Sequence, residues 1–194
     1  MKRSILFMAR AAVIAAAYVV LTFPLAQFAF GPVQFRLAEA LTVLAAMTPA
    51  AIPGLFLGCL LANLTNPVNL GPVDIIGGSL ATLIAAWMTW KLQRSLRRPT
   101  VQEADELAGR KGLSGRRRDR LCRLLVISPS VIVNALVVGF YLPFLIPELA
   151  VSTAVIALTI LSIFISQAIV IYVIGLPLLF ALEKLHPAIW SDRP

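Results

Sequence analysis

Charge, histidine and cysteine are all scarce in this 194-residue chain, and each scarcity excludes a class of protein. Charged residues make up 13% of the sequence and hydrophobic residues 59%, whereas about a quarter of the residues of a soluble domain are charged. The single histidine, His186, and the two cysteines, Cys59 and Cys122, give neither metal-ligand spacing nor a disulfide framework. Hydrolase, metalloprotease and phosphate-loop motifs are absent. We therefore expect a protein that is not an enzyme and has no metal or cofactor of its own.

Long apolar runs dominate the sequence instead. Several approach the roughly 20 residues that a helix needs to cross the hydrocarbon core, and the alternation of a membrane β-barrel is missing. We predict an all-α membrane protein, a six-transmembrane-helix bundle that forms one integral membrane domain over residues 1–194. The expected spans are 5–23, 33–47, a third that starts between Pro49 and Pro53 and ends at Leu64, 74–90, 121–145 and 150–182. The last run exceeds one bilayer thickness, which predicts tilt, an interfacial end or a kink at Pro177.

The basic residues give the orientation. The net charge is +8, and eleven of the seventeen Lys and Arg residues lie between Lys91 and Arg123. Such clustering is a topology signal before it is a sign of nucleic-acid binding, so we expect no nucleic acid partner. It predicts a basic cytoplasmic loop at 96–119, between the fourth and fifth helices, and a multi-pass cell-membrane protein with both termini in the cytoplasm. Arg36 is the exception, because it falls on the outer side.

A small set of polar residues interrupts the apolar spans. An ionisable side chain at membrane depth is costly and is normally paired or given a ligand. Arg36 and Glu39, three residues apart, can form an ion pair at a helix entrance or belong to a ligand site, and Asp74 suits either a ligand site or a helix N-terminus. Carboxylates and amides together suit a flat heterocycle with amide-like edges. The candidate substrate-binding residues are Gln34, Arg36, Glu39, Asn63, Asp74, Asn134 and Gln167.

Small residues on the first span form two overlapping pairs, Ala11 with Ala15 and Ala12 with Ala16. Small side chains four residues apart let another helix approach closely within lipid. The pattern is equally consistent with packing inside the bundle and with docking of a partner protein.

Four ordered blocks carry a family resemblance: VQFRLAEAL at 33–41, IPGLFLGCLLAN at 52–63, DIIGGSLATL at 74–83 and NALVVG at 134–139. On these blocks the chain resembles the queuosine-precursor transporter family, the substrate-binding S components of energy-coupling-factor transporters. The resemblance implies a six-helix bundle that takes up a deazaguanine base and docks, through small residues of its first helix, on a transmembrane coupling subunit. Two ATPase subunits would then use the ATP. Gln167 departs from the Glu expected in the last helix, and the basic loop is longer than expected.

Two other functions fit the same residues. A self-contained carrier of a small heterocycle or vitamin would use Asp74 and Glu39 as proton or sodium sites. A non-transporting membrane scaffold would use its basic loop to contact anionic lipid or a partner.

Overall fold

The structure is a computed structural model and describes residues 2–25, 35–66, 70–96, 113–146 and 150–185, which are helical almost throughout and contain no strand. Seven helices are labelled in chain order. They are α1 (Lys2–Thr22), followed by one 3₁₀ turn at Phe23–Leu25, α2 (Leu37–Ala46), α3 (Ala51–Thr65), α4 (Pro72–Leu96), α5 (Leu113–Leu145), α6 (Thr153–Ala168) and α7 (Leu176–Leu185). A π-helical segment, Ile169–Gly175, joins α6 to α7 without a break.

Within the described residues, four helical stretches are long and apolar enough to cross a membrane, namely Arg3–Thr22, Pro72–Leu96, Leu121–Leu145 and Thr153–Leu182. The helices α2 and α3 are also apolar, but they have only 10 and 15 residues. The prediction of an all-α, multi-pass membrane protein is confirmed at this level. Two of the six predicted spans are shorter than an ordinary membrane-crossing helix.

Contacts between helices fix their relative directions. Ala11 lies at Gly54 and Ala15 at Gly58, so α1 and α3 run parallel. Cys59 of α3 contacts Thr82 of α4, and residues further along α3 meet residues nearer the start of α4, so these two helices are antiparallel. The packed clusters continue this alternation through α5 and the α6–α7 rod. The starts of α1, α3 and α5 therefore lie at the same end of the bundle as the ends of α4 and α7.

Backbone contact joins α1 to α3, because glycine occupies the contact positions of α3. A Cβ atom added to Gly58 would lie 2.6 Å from the Tyr18 Cβ and 2.9 Å from the carbonyl oxygen of Ala15. One added to Gly54 would lie 2.7 Å from the carbonyl oxygen of Ala11. Close approach of this kind is the usual contribution of small residues to helix pairs in membranes.

Replacing Gly58 with valine is expected to destabilise the protein by about 1–3 kcal/mol, because the α1 backbone must move away to make room for the added methyl groups. Thermal unfolding of the purified protein in detergent measures the effect. Leu57→Ala is the control, since Leu57 is 45% exposed on the same helix. An equal loss of thermal stability in both variants would contradict backbone contact at Gly58.

The short helix α2 has 3₁₀ geometry over its ten residues. At a rise of about 2.0 Å per residue the segment extends about 20 Å, further than the same residues would reach as an α-helix. Nine of its residues are buried, and it packs closely against the π-helical segment, where a Cβ on Gly175 would lie 2.8 Å from Val43. This burial places Glu39, in the first turn of α2, inside the bundle.

Proline breaks the hydrogen-bond ladder of α5 without ending the helix. Pro129 lacks an N–H, so the carbonyl of Leu125 loses its helical donor. The Ser128 hydroxyl donates to that carbonyl at 2.8 Å, as polar side chains do in membrane helices. The helix also begins at Leu113, so residues 113–119 of the predicted loop are helical, and residues 97–112 lie outside the described part of the chain.

The last helical run changes geometry near its predicted irregularity. The sequence predicts tilt, an interfacial end or a kink at Pro177, and the structure has π-helical geometry over the seven residues Ile169–Gly175, which end two positions before that proline. π-helical turns are rare and occur often at functional sites.

Candidate functional site

Glu39 is the centre of a buried hydrogen-bond network. The residue is 1% exposed. On one oxygen, Oε1, it accepts from the Tyr18 hydroxyl at 2.6 Å and the Thr82 hydroxyl at 3.0 Å. On the other, Oε2, it accepts from the Asn134 amide at 3.0 Å. Side chains of α1, α4 and α5 thus converge on one acidic group of α2.

A second layer of polar side chains surrounds Gly78 of α4. A Cβ on this glycine would lie 3.1 Å from both Arg36 Nη1 and Asn63 Nδ2. Asn63 also donates to the Cys59 sulfur at 3.6 Å, and Cys59 lies 3.5 Å from the Thr82 hydroxyl. The absence of a side chain at Gly78 therefore lets Arg36, which directly precedes α2, and Asn63 of α3 approach the α4 backbone.

Arg36 and Asp74 form the third part of the site. The guanidinium Nη2 lies 3.5 Å from Asp74 Oδ1, and both residues are buried. Tyr141 of α5 donates its hydroxyl to the same carboxylate oxygen at 2.8 Å. Asp74 belongs to the first turn of α4, where the helix dipole favours an anion. The structure thus gives Asp74 an ion-pair partner as well as a helix N-terminus.

The charges of the site leave acceptor oxygens open. Arg36 and Asp74 compensate each other, whereas the donors that reach Glu39 are neutral, so these three residues carry one net negative charge when ionised. A carboxylate offers about four acceptor positions, of which Glu39 uses three within the described chain. Asp74 Oδ2 is buried and has no hydrogen-bond partner among the described residues. The arrangement can therefore accept N–H donors from a ligand.

The structure brings together five of the seven candidate residues: Arg36, Glu39, Asn63, Asp74 and Asn134. Gln167 is buried near the end of α6, and its Oε1 atom lacks a hydrogen-bond partner in the described part of the chain. Ile163 of α6 and Ile171 of the π-helical segment pack in clusters with α5 residues on either side of Asn134 along the chain. Gln167 thus lies at about the level of Asn134. Gln34 lies outside the described residues.

Four further side chains belong to the site: Tyr18, Cys59, Thr82 and Tyr141. The hydroxyls of the two tyrosines donate to carboxylates, those of Glu39 and Asp74. The sequence does point to Thr82 as a site residue, because Thr82 lies eight residues beyond Asp74 and so shares the face of α4 that carries Asp74. A cysteine within an apolar run carries no comparable signal.

The alanines of α1 divide into two faces. Ala11 and Ala15 are buried against α3, whereas Ala12 and Ala16 are exposed. The first pair thus packs inside the bundle, and the second leaves a surface of small residues on the outside of α1.

Residues 2–25, 35–66, 70–96, 113–146 and 150–185 include no group of three His, Cys, Asp or Glu side chains that could hold a metal ion. A groove on the surface between α5 and α6 is lined by hydrophobic residues, among them Ile132, Leu136 and Phe164. It therefore differs in chemistry from the polar network. The polar network is therefore the candidate site.

Comparisons with known proteins agree with the sequence blocks. The profile of a family described as QueT transporter matches residues 8–184. A curated protein from Lactococcus lactis subsp. cremoris (strain MG1363), named queuosine precursor transporter QueT, is 36% identical over 75 residues. That alignment covers 38% of this chain and 43% of the relative. No solved structure matches.

Proposed function

Because the chain belongs to the QueT transporter family, we propose that it binds a queuosine precursor, a deazaguanine base, as the membrane subunit of an energy-coupling-factor transporter. In this proposal α2 and α3 complete a six-transmembrane bundle in the cell membrane, with both termini in the cytoplasm. The observation that carries it is the buried carboxylate of Glu39, on which donors from three other helices converge.

The chemistry of a guanine-like edge fits the open positions of the site. Its ring N–H and exocyclic amino group are donors, and its carbonyl oxygen is an acceptor. Glu39 accepts from one of these donors with its remaining acceptor position, while the Asn63 amide, whose partner among the described residues is a cysteine sulfur at 3.6 Å, donates to the carbonyl. Asp74 or Asn134 completes the contact. Hydrogen bonds to a charged acceptor are about twice as strong as those between neutral groups.

Binding of labelled deazaguanine to the purified protein tests this function. Guanine, related deazaguanine bases and unrelated vitamins serve as competitors. Displacement by deazaguanine bases and not by unrelated vitamins is expected, because only the former present paired donors beside a carbonyl. Equal displacement by the vitamins would contradict the proposed substrate.

The outer face of α1 is the proposed docking surface for the partner proteins. Ala12 and Ala16 are exposed and four residues apart, which matches the small-residue contacts by which membrane helices associate. The proposed occupant is a transmembrane coupling subunit served by two ATPase subunits, which consume the ATP. The chain itself then needs no cofactor.

The double change Ala12→Leu and Ala16→Leu is expected to abolish uptake in cells that carry the coupling subunit and ATPases, while binding to the purified protein is retained. Leucine side chains hold the partner helix away but touch nothing within the bundle. The matched control is Ala11→Leu with Ala15→Leu, which overpacks the α1–α3 contact and is expected to lower thermal stability instead. Normal uptake in the Ala12/Ala16 variant would contradict the docking face.

Reconstitution of this chain in liposomes distinguishes the proposed transporter subunit from a self-contained carrier. Liposomes that contain this chain alone should bind the base without accumulating it under a proton or sodium gradient. Accumulation without ATPases would instead favour an ion-coupled carrier.

A further inference from the structure

One face of α4 is covered with exposed apolar side chains along most of its length. Val73, Ile76, Leu80, Ile84 and Trp87 are each between 44% and 56% exposed. They follow one another at intervals of three or four residues, so they form a single stripe along the helix. In a membrane this stripe faces lipid, and its length of about 21 Å, at 1.5 Å per residue, covers most of the hydrocarbon thickness.

Two basic residues continue the stripe beyond its apolar part. Lys91 and Arg94 are both exposed and keep the same interval of three or four residues after Trp87. Lys91 Nζ lies 4.6 Å from the centroid of the Trp87 ring, and Arg94 lies 5.4 Å from that of Trp90. These four residues are called the α4 cationic end.

The aromatic rings hold the two cations in place while leaving their hydrogen-bond donors available. A cation over an aromatic ring is attracted by the ring quadrupole and keeps its N–H groups directed elsewhere. Neither Lys91 nor Arg94 forms an ion pair with a carboxylate in the described part of the chain. Tryptophan also favours the depth of lipid headgroups. Two oriented cations therefore lie at headgroup depth, directly after a stripe suited to an acyl chain.

We infer that the α4 cationic end binds the headgroup of an anionic phospholipid, whose acyl chain lies along the exposed stripe from Trp87 towards Val73. A zwitterionic headgroup carries a positive group that the two cations repel, so Lys91 and Arg94 favour a headgroup with a net negative charge. This end of α4 lies with the start of α1, which the basic residues place in the cytoplasm. The cytoplasmic leaflet is also where anionic lipids are enriched.

Quenching of tryptophan emission by brominated lipids tests the site directly. The full chain with Trp190→Phe, so that emission comes from Trp87 and Trp90, is reconstituted in phosphatidylcholine vesicles. Dibrominated phosphatidylglycerol or dibrominated phosphatidylcholine is then added in increasing proportion. A preference for phosphatidylglycerol of about fivefold for each basic residue is expected, from the attraction of a surface Lys or Arg to anionic lipid.

Three variants make the result specific. Lys91→Gln with Arg94→Gln should lose the preference, and Lys91→Arg with Arg94→Lys should keep it. Arg3→Gln with Lys184→Gln removes the same charge from exposed positions at the same end of the bundle and should also keep it. Equal quenching by the two lipids in the parent protein, or equal loss of preference in the Arg3/Lys184 control, would overturn the site. None of these measurements involves the transported base, so their outcome is independent of the proposed function.

Discussion

Replacing Glu39 with glutamine is expected to weaken deazaguanine binding roughly 10- to 150-fold, the equivalent of one hydrogen bond to a charged group. Glutamine has nearly the same size, so the fold should persist. It lacks the charge, however, and places an N–H₂ group where either two hydroxyls or the Asn134 amide now donate. The measurement is equilibrium binding of the labelled base to purified protein, together with thermal unfolding of the same samples.

A buried hydroxyl outside the network provides the control. Thr159 of α6 donates to the carbonyl of Val155 in its own helix, so Thr159→Val should leave affinity for the base unchanged. If Glu39→Gln binds the base as tightly as the parent protein and unfolds at the same temperature, Glu39 is not a ligand of the substrate.

Arg36→Leu is expected to reduce the free energy of unfolding by about 3–5 kcal/mol, because it leaves the Asp74 carboxylate buried without its cation. Both side chains are at most 6% exposed, so water cannot replace the lost partner. Unfolding by sodium dodecyl sulfate in mixed micelles measures the change. Arg3→Leu is the control, since Arg3 is exposed on α1 and a surface substitution usually changes stability by at most about 0.5 kcal/mol.

The double variant Arg36→Leu with Asp74→Asn distinguishes an uncompensated charge from a loss of packing. Asparagine removes the charge and still accepts from the Tyr141 hydroxyl, so most of the lost stability should return. A double variant as unstable as Arg36→Leu alone would show that Arg36 stabilises the fold through its other contacts.

Composition and apolar runs predict the helical membrane fold because the bilayer restricts the possible structures so strongly. They predict the ends of α2 and α5 less well. The sequence predicts the second span from residue 33, whereas α2 begins at Leu37 and is a 3₁₀ helix that packs closely against the π-helical segment. The sequence predicts the fifth span from residue 121, whereas α5 begins at Leu113 with polar residues that no apolar pattern marks.

The sequence predicts which residues belong to the candidate site, but it does not predict which of these side chains pair with one another. An ionisable or amide side chain in an apolar span stands out in any sequence, which is why Glu39, Asp74 and Asn134 could be selected. Spacing along the chain suggested Glu39 as the partner of Arg36, but the ion pair to Asp74 joins residues 38 positions apart. Such pairs depend on how each helix is rotated about its axis. That rotation is set by contacts such as Gly78 with Arg36 and Asn63, which a single sequence does not reveal.

The glycines of α3 have a mechanical consequence. At Gly54 and Gly58 the backbone and Cβ atoms of α1 lie against the α3 backbone, and such atoms have no rotamers through which to yield. The two helices are therefore expected to tilt together as one rigid unit. A displacement of α1 at its exposed alanines would then move Tyr18 of α1 and Cys59 of α3 together. Both movements would change the surroundings of Glu39.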